Sequence, residues 1–217
     1  MYNLNLVSMK KSLMSAILAL AVLFGGVVAA GAQTRAQKKE AKKWRKELQK
    51  ADWEMLAGTT TLEYATLRYR VYIDEDPENR IELVGIAEGQ NSKIGRENAI
   101  MNGITSYAGR ARAQVVGKMK GVIASDATTG ELEEIDKFGA AYEMGVNTRM
   151  SGLVKQHFAL VREVDGGKKE FMVYMSIDEK DARKAREEAA AEARRQASLG
   201  NLSQQVEEFI GEPVEPE

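Results

Sequence analysis

The stretch from residue 153 to residue 177 constrains the fold most, because it has the pattern of two strands joined by a tight turn. The segments VKQHFALVREV and KKEFMVYMSI flank Asp165-Gly166-Gly167, a sequence typical of a β-hairpin turn. Large apolar residues alternate along the second segment, and those of one face are Phe171, Val173, Met175 and Ile177. Since such a face must be kept from water, we expect helices to cover it.

The sequence before the hairpin predicts one further strand and two helices that could cover the apolar face. Residues 80–89 (RIELVGIAEG) are short, apolar and bounded by turn formers, which predicts a buried strand. Apolar and small residues keep a helical period over 93–123 and again over 132–150. Small residues in the first of these helices, Ala99, Gly103 and Ala108, would allow close approach to the sheet. We therefore predict an α+β fold with a β-α-α-β-β core, in which two helices pack on a small antiparallel sheet of three or four strands.

Residues 60–73, at the start of the predicted core domain (58–178), are ambiguous. Thr60 and Glu63 have the T-x-x-E form of a helix capping box. The β-branched and aromatic content of the same stretch also fits a strand. Both interpretations stay open here.

A basic amphipathic helix is predicted within residues 33–57. Eight basic and two acidic residues lie between Arg35 and Lys50, while Trp44 and Leu48 share one face at helical spacing. This helix either packs on the domain or presents its charges to a protein partner or an anionic membrane surface. The candidate contact residues are Lys39, Lys43, Trp44, Lys46 and Trp53.

The C-terminal region is predicted to contain a charged helix region followed by a tail. Residues 179–210 are rich in Ala, Glu and Arg, and an alanine stripe could pack closely. The members of the stripe are Ala182, Ala185, Ala189 and Ala193. The acidic segment 211–217 (GEPVEPE) is expected to be disordered.

The first 32 residues have the features of a secretory signal peptide. Lys10 and Lys11 precede an apolar run over 13–30, and the small residues Ala30-Gly31-Ala32 suit signal peptidase. We expect Met9 to be the true start and cleavage to leave Gln33 first, in the periplasm or at the outer surface of a bacterium. The alternative is a membrane anchor, since the run approaches the roughly 20 residues of a spanning helix.

Composition excludes several kinds of chemistry. The chain has no Cys, so it offers no disulfide, no thiolate metal site and no lipid-accepting cysteine, and we do not expect a lipoprotein. His157 is the single histidine, and we interpret it as a structural residue rather than a metal ligand or base. The net charge of −1 gives no reason to expect a nucleic-acid partner. No phosphate-binding loop, G-x-S-x-G or H-E-x-x-H motif occurs.

The order of elements resembles a small bacterial envelope family. A strand with Gly85-Ile86-Ala87, two helices and a hairpin ending in Tyr174-Met175-Ser176-Ile177 is similar to lipoprotein-20 proteins and to the N-terminal domain of the flagellar-assembly T protein. The resemblance covers roughly residues 80–185 and implies two helices on an antiparallel sheet, with no catalytic residues to carry over. The chain departs from the family by lacking the lipidated cysteine, so direct anchoring in the outer membrane is not expected.

These observations favour a secreted, non-catalytic and cofactor-free interaction or assembly module of the cell envelope. Its expected partner is an envelope protein or the membrane surface. The alternative is a carboxylate-based hydrolase or cation-binding enzyme of the envelope, because acidic residues are plentiful. A cavity that gathers two or more acids with His157 or a tyrosine would favour the enzyme.

Overall fold

A computed structural model describes residues 34–58, 60–123, 128–200 and 202–215. The predicted signal peptide, residues 1–32, lies outside these ranges. The described residues form six helices and one four-stranded antiparallel sheet, which confirms the α+β class.

Helices and strands follow one another in an order that matches the predicted β-α-α-β-β core. The helices are α1 (Arg35–Lys50), α2 (Leu62–Asp74), α3 (Ser92–Val122), α4 (Thr129–Met150), α5 (Glu179–Gln196) and α6 (Leu202–Gly211). The strands are β1 (Glu54–Met55), β2 (Arg80–Gly89), β3 (Lys155–Val164) and β4 (Lys168–Asp178). They lie side by side in the order β1-β3-β4-β2. The short strand β1 was not predicted; it extends the sheet by pairing with β3.

The hairpin is formed as predicted. Strands β3 and β4 are joined by the turn Asp165–Gly167, in which Gly166 and Gly167 have φ angles of 81° and 72°. Glycine adopts this left-handed conformation without the strain that a Cβ atom causes, so the two glycines favour a reversal of the chain at this point.

Two helices begin a few residues away from the predicted positions, because threonine hydroxyls cap their first turns. Helix α4 begins at Thr129 rather than Leu132, since Thr128 accepts the amide of Glu131 at 3.3 Å while the Glu131 carboxylate accepts the Thr128 amide at 2.7 Å. Residues 62–74 are helical, which settles the open choice, and the cap is Thr61 rather than Thr60. The Thr61 hydroxyl accepts the amide of Tyr64 at 3.3 Å.

Both faces of the sheet are buried, whereas one strongly apolar face was predicted. Phe171, Val173, Met175 and Ile177 pack in a core with α3, α4, α5 and α6, as their alternation indicates. The opposite face forms a second core whose sheet residues are Phe158, Leu160, Met172 and Tyr174. It is covered by α1 and α2, so the N-terminal helix belongs to the same packed unit as the sheet.

Helix α3 lies directly against β2 and β4, while α4 packs mainly against α3 and α5. A Cβ atom built on Gly85 of β2 would lie 1.7 Å from the Ala99 carbonyl oxygen and 2.7 Å from the Gly103 amide nitrogen. The expectation that small residues let α3 approach the sheet is therefore met at Gly85. The Ala stripe of α5 is also buried, and Ala189 packs against Gly145 of α4.

Residues 211–217 were expected to be disordered, but residues 211–215 make defined contacts with α3. Gln114 of α3 donates to the Pro213 carbonyl at 3.0 Å, and its side-chain oxygen accepts the Glu215 amide at 3.2 Å. Lys118 forms an ion pair with Glu212, and Val214 packs on the core. Composition alone did not indicate these contacts, because a polar, proline-containing segment lies on the surface in either case.

Candidate functional site

Helix α1 is held to the sheet by one apolar face. The Trp44 ring lies 5.0 Å from the ring of Tyr174 and 6.0 Å from those of Tyr69 and Phe158, measured between centroids. Leu48, one turn further along, is 6% exposed. Because this face already contacts the sheet, the helix presents only its other side to the surroundings.

Ion pairs and a hydrogen bond to α2 fix the rotation of α1 about its axis. Arg70 of α2 lies 2.7 Å from the Glu40 carboxylate, and Arg45 of α1 forms an ion pair with Glu63. At the start of the helix, the Gln37 side chain donates to Asp74 at 3.2 Å. These contacts flank the apolar face, so the outward side of α1 is well defined.

The outward side of α1 carries a row of six cations, which we call the basic stripe. Its members are Arg35, Lys38, Lys39, Lys42, Lys46 and Lys50. At 100° per residue they fall within about 60° on either side of one direction, opposite Trp44. All six are exposed, and none of their side chains pairs with a described residue. The stripe is thus a surface of uncompensated positive charge on a chain whose net charge is −1.

The five predicted contact residues fall in three different environments. Lys39 and Lys46 lie in the basic stripe, and Lys43 lies beside it, 3.8 Å from Glu47. Trp44 faces the sheet and is only partly exposed. Trp53 is 4% exposed and lies under the Arg162 guanidinium at 4.5 Å from its ring. Trp53 is therefore a core residue, and Trp44 is partly buried with its ring packed on the sheet.

Four members of the basic stripe were not among the predicted contact residues, namely Arg35, Lys38, Lys42 and Lys50. The signal for them was present in the sequence. On a helical projection of residues 35–50, these four residues lie on the side opposite Trp44. That side faces outward once the apolar side is known to be covered.

A cavity of about 380 Å³ lies between α1 and β2 beside Trp44. Three glutamates line it, Glu40, Glu47 and Glu82, together with Lys43, Arg70, Val84 and Tyr174. Burial raises the pKa of Glu82 above its usual range, although Arg70 opposes the change. The Arg70 guanidinium lies 2.7 Å from Glu40 and 4.0 Å from Glu82, so these carboxylates are held as partners of a cation.

His157 lies on the sheet face below α2. Its Nε2 is 2.8 Å from the Ser176 hydroxyl, and its ring packs 4.8 Å from Tyr69 and 4.7 Å from Tyr72. Within the described ranges no group of three His, Asp or Glu side chains is arranged to hold a metal ion. The contacts with Ser176, Tyr69 and Tyr72 hold the His157 ring between β4 and α2.

No family model, curated protein or solved structure matches the chain significantly. Among the helices formed by residues 34–215, outside the gaps already named, none is long and apolar enough to span a membrane.

Proposed function

We propose that the chain is a non-catalytic module of the bacterial cell envelope that binds an anionic membrane surface through the basic stripe of α1. The observation that carries the proposal is the division of α1 into two sides. One side packs on Tyr174 and its aromatic neighbours, and the other presents six cations that form no ion pair with a described residue.

Membrane phosphates fit this stripe better than a protein partner does. Protein interfaces usually centre on buried aromatic or apolar anchors. Of the two tryptophans that could serve, Trp53 is buried in the core and the Trp44 ring is packed against Tyr174. Juxtamembrane lysines and arginines, by contrast, attract anionic lipid by about 1 kcal/mol each without apolar contact. The apolar side of α1 would have to leave the sheet in order to insert into lipid. We therefore expect adsorption by charge alone.

The location in the envelope rests on the signal-peptide pattern of residues 9–32. Its test is the intact mass of the chain recovered from the cells that make it. A chain that begins at Gln33 supports export and cleavage. A chain that keeps residues 9–32 supports the membrane anchor instead. In that case the anchor, and not the basic stripe, would hold α1 near the lipid.

The carboxylate enzyme that the sequence left open is less well supported. The cavity beside Trp44 does bring three glutamates near Tyr174. Glu40 pairs closely with Arg70, and an ion-paired carboxylate is stabilised in its charged form, which disfavours its action as a general acid. Burial raises the pKa of Glu82 despite Arg70, so Glu82 is the one carboxylate of this cavity with the character of a general acid.

Vesicle co-sedimentation tests the membrane proposal. Wild-type protein should bind vesicles of phosphatidylglycerol but not of phosphatidylcholine, and the binding should weaken as salt is raised. Replacing Lys39, Lys42 and Lys46 together by Gln should weaken binding by roughly 100-fold, since three charges contribute about 3 kcal/mol.

The matched control replaces three exposed lysines elsewhere, Lys93, Lys180 and Lys184, with the same change in net charge. It should bind nearly as well as the wild type. Equal loss in both triple variants would show that overall charge, and not the stripe, governs binding. A stripe variant that loses a copurifying envelope protein but not vesicle binding would assign the stripe to a protein partner.

A further inference from the structure

A second groove lies between α2 and β3, apart from the basic stripe. Its volume is about 320 Å³, within the lower range for small-molecule sites of about 300–1,000 Å³. Five rings and two cations are prominent in its lining: Tyr64, Tyr69, Tyr72, His157, Phe158, Arg68 and Lys155.

Within the described part of the chain, no carboxylate pairs with the two cations of this groove. Arg68 forms no ion pair or hydrogen bond with any residue that the structure describes, and the Lys155 ammonium lies 4.3 Å from the centroid of the Tyr72 ring. No Asp or Glu is among the residues lining the groove. The cavity beside Trp44 differs in this respect, because glutamates there neutralise Arg70. The groove between α2 and β3 therefore offers positive charge to a ligand.

The groove is lined by aromatic rings at different inclinations, with the His157 ring at 49° to that of Tyr72 and at 64° to that of Tyr69, and the Arg80 guanidinium lies 4.0 Å from the centroid of the Tyr72 ring. Tyr72 lies 4.7 Å from His157, and the exposed Tyr64 ring, at 53% accessibility, stands at the groove. His157 is brought to this face by an irregularity in β3, where the register with β4 shifts between Gln156 and Phe158. Such bulges redirect side chains and are common beside functional sites.

His157 itself adds no charge at neutral pH. Burial, followed by the positive charges of Lys155, Arg68 and Arg80, lowers the pKa of His157 to about 4. The neutral ring can lie against a planar group, while the neighbouring cations attract the charge that the ligand carries.

We propose that the groove between α2 and β3 binds a small organic anion with a flat apolar body. Arg68 and Lys155 hold the anionic group, and Tyr64, Tyr72 and the His157 ring contact the body. This proposal does not depend on the basic stripe, which lies on α1 and contributes no residue to the groove.

Isothermal titration calorimetry tests the proposal. The purified chain, expressed from Met1, is titrated with phenyl phosphate and with benzoate. Each should bind at least about tenfold more tightly than inorganic phosphate or phenol, which carry only one of the two features. Replacing Arg68 and Lys155 together by Gln should weaken the binding of phenyl phosphate by about tenfold or more. Both side chains are exposed, so the fold should tolerate the change.

Two further measurements separate the groove from general attraction of anions. The variant with Lys39 and Lys46 replaced by Gln removes the same charge from the basic stripe and should bind phenyl phosphate as the wild type does. The His157 ring signals in NMR spectra should shift and saturate with phenyl phosphate. No saturable binding of either aromatic anion, or equal loss in the two double variants, would overturn the proposal.

Discussion

Gly85 shows at the scale of one residue how closely the sheet and α3 approach each other. A Cβ atom at this position would overlap the backbone of Ala99 and Gly103, neither of which can move without shifting the helix. We expect Gly85→Ala to lower the free energy of unfolding by about 3 kcal/mol, because overpacking against backbone forces the helix away from the sheet. Urea denaturation would measure this loss.

Gly117 of α3 is the matched control for that substitution. Nothing lies within 4 Å of a Cβ atom built there. Gly117→Ala should therefore raise the free energy of unfolding by up to about 1 kcal/mol, the difference in helix propensity between the two residues. Equal and small effects at both positions would mean that α3 is not seated on β2 as described.

His157 makes the stability of the fold depend on pH. The folded protein keeps the ring neutral down to a pKa of about 4, whereas the unfolded chain binds the proton near the ordinary value of 6.5. As the pH falls through this window the unfolded state gains protons that the folded state does not, so stability falls. The groups that face the ring are Tyr69, Tyr72 and Arg68 from α2, Ser176 from β4, Lys155 from β3 and Arg80 from β2.

We expect His157→Gln to remove part of this loss of stability, because an amide does not titrate and can still bond Ser176. Unfolding free energies of the variant and the wild type, compared from pH about 7 to about 4, isolate the histidine from the carboxylates that titrate nearby. Curves that stay parallel through the window would contradict the burial of a neutral His157.

At the scale of elements, one buried guanidinium ties α5 to its neighbours. Arg186 of α5 is 1% exposed and lies 2.6 Å from the Glu179 carboxylate and 2.5 Å from the Tyr107 hydroxyl of α3. It also donates to the carbonyls of Ile210 and Glu212 at 3.4 and 3.2 Å. The end of α6 and the following segment are thereby joined to the core, although no large apolar residue of α5 does so.

We expect Arg186→Met to lower the free energy of unfolding by about 3 kcal/mol, because the Glu179 carboxylate, whose side chain is 14% exposed, is left without its partner. Amide hydrogen exchange of residues 202–215 should accelerate in the same variant. Arg183→Met removes an exposed pair with Glu187 and should cost less than about 1 kcal/mol. Similar losses in the two variants would show that the buried position of Arg186 has no special role.

At the scale of the whole molecule, the sequence predicted the elements better than their arrangement. The hairpin, the strand 80–89 and the central helices follow from periodicity and turn residues, which act over a few neighbouring positions. The positions of α1 and α2 do not follow from periodicity, because they depend on contacts between distant residues. Nothing in the sequence next to Met172 and Tyr174 indicates that α1 and α2 pack on them. The candidate site divides in the same way: the lysines of α1 were visible in sequence, but their orientation depended on Trp44 being packed on the sheet.

The sequence by itself determined the central helices, the strand 80–89, the hairpin with its reversal at Gly166-Gly167 and the positive charge of α1, because each depends on residues close together in the chain. Only the tertiary structure decided that helices cover both faces of the sheet, that Trp53 lies inside, and that Arg68, Tyr72 and His157 share a groove. These contacts join residues far apart in the chain, and a register irregularity in β3 determines which way His157 points. Neither the long-range contacts nor the register irregularity can be predicted from the local sequence pattern.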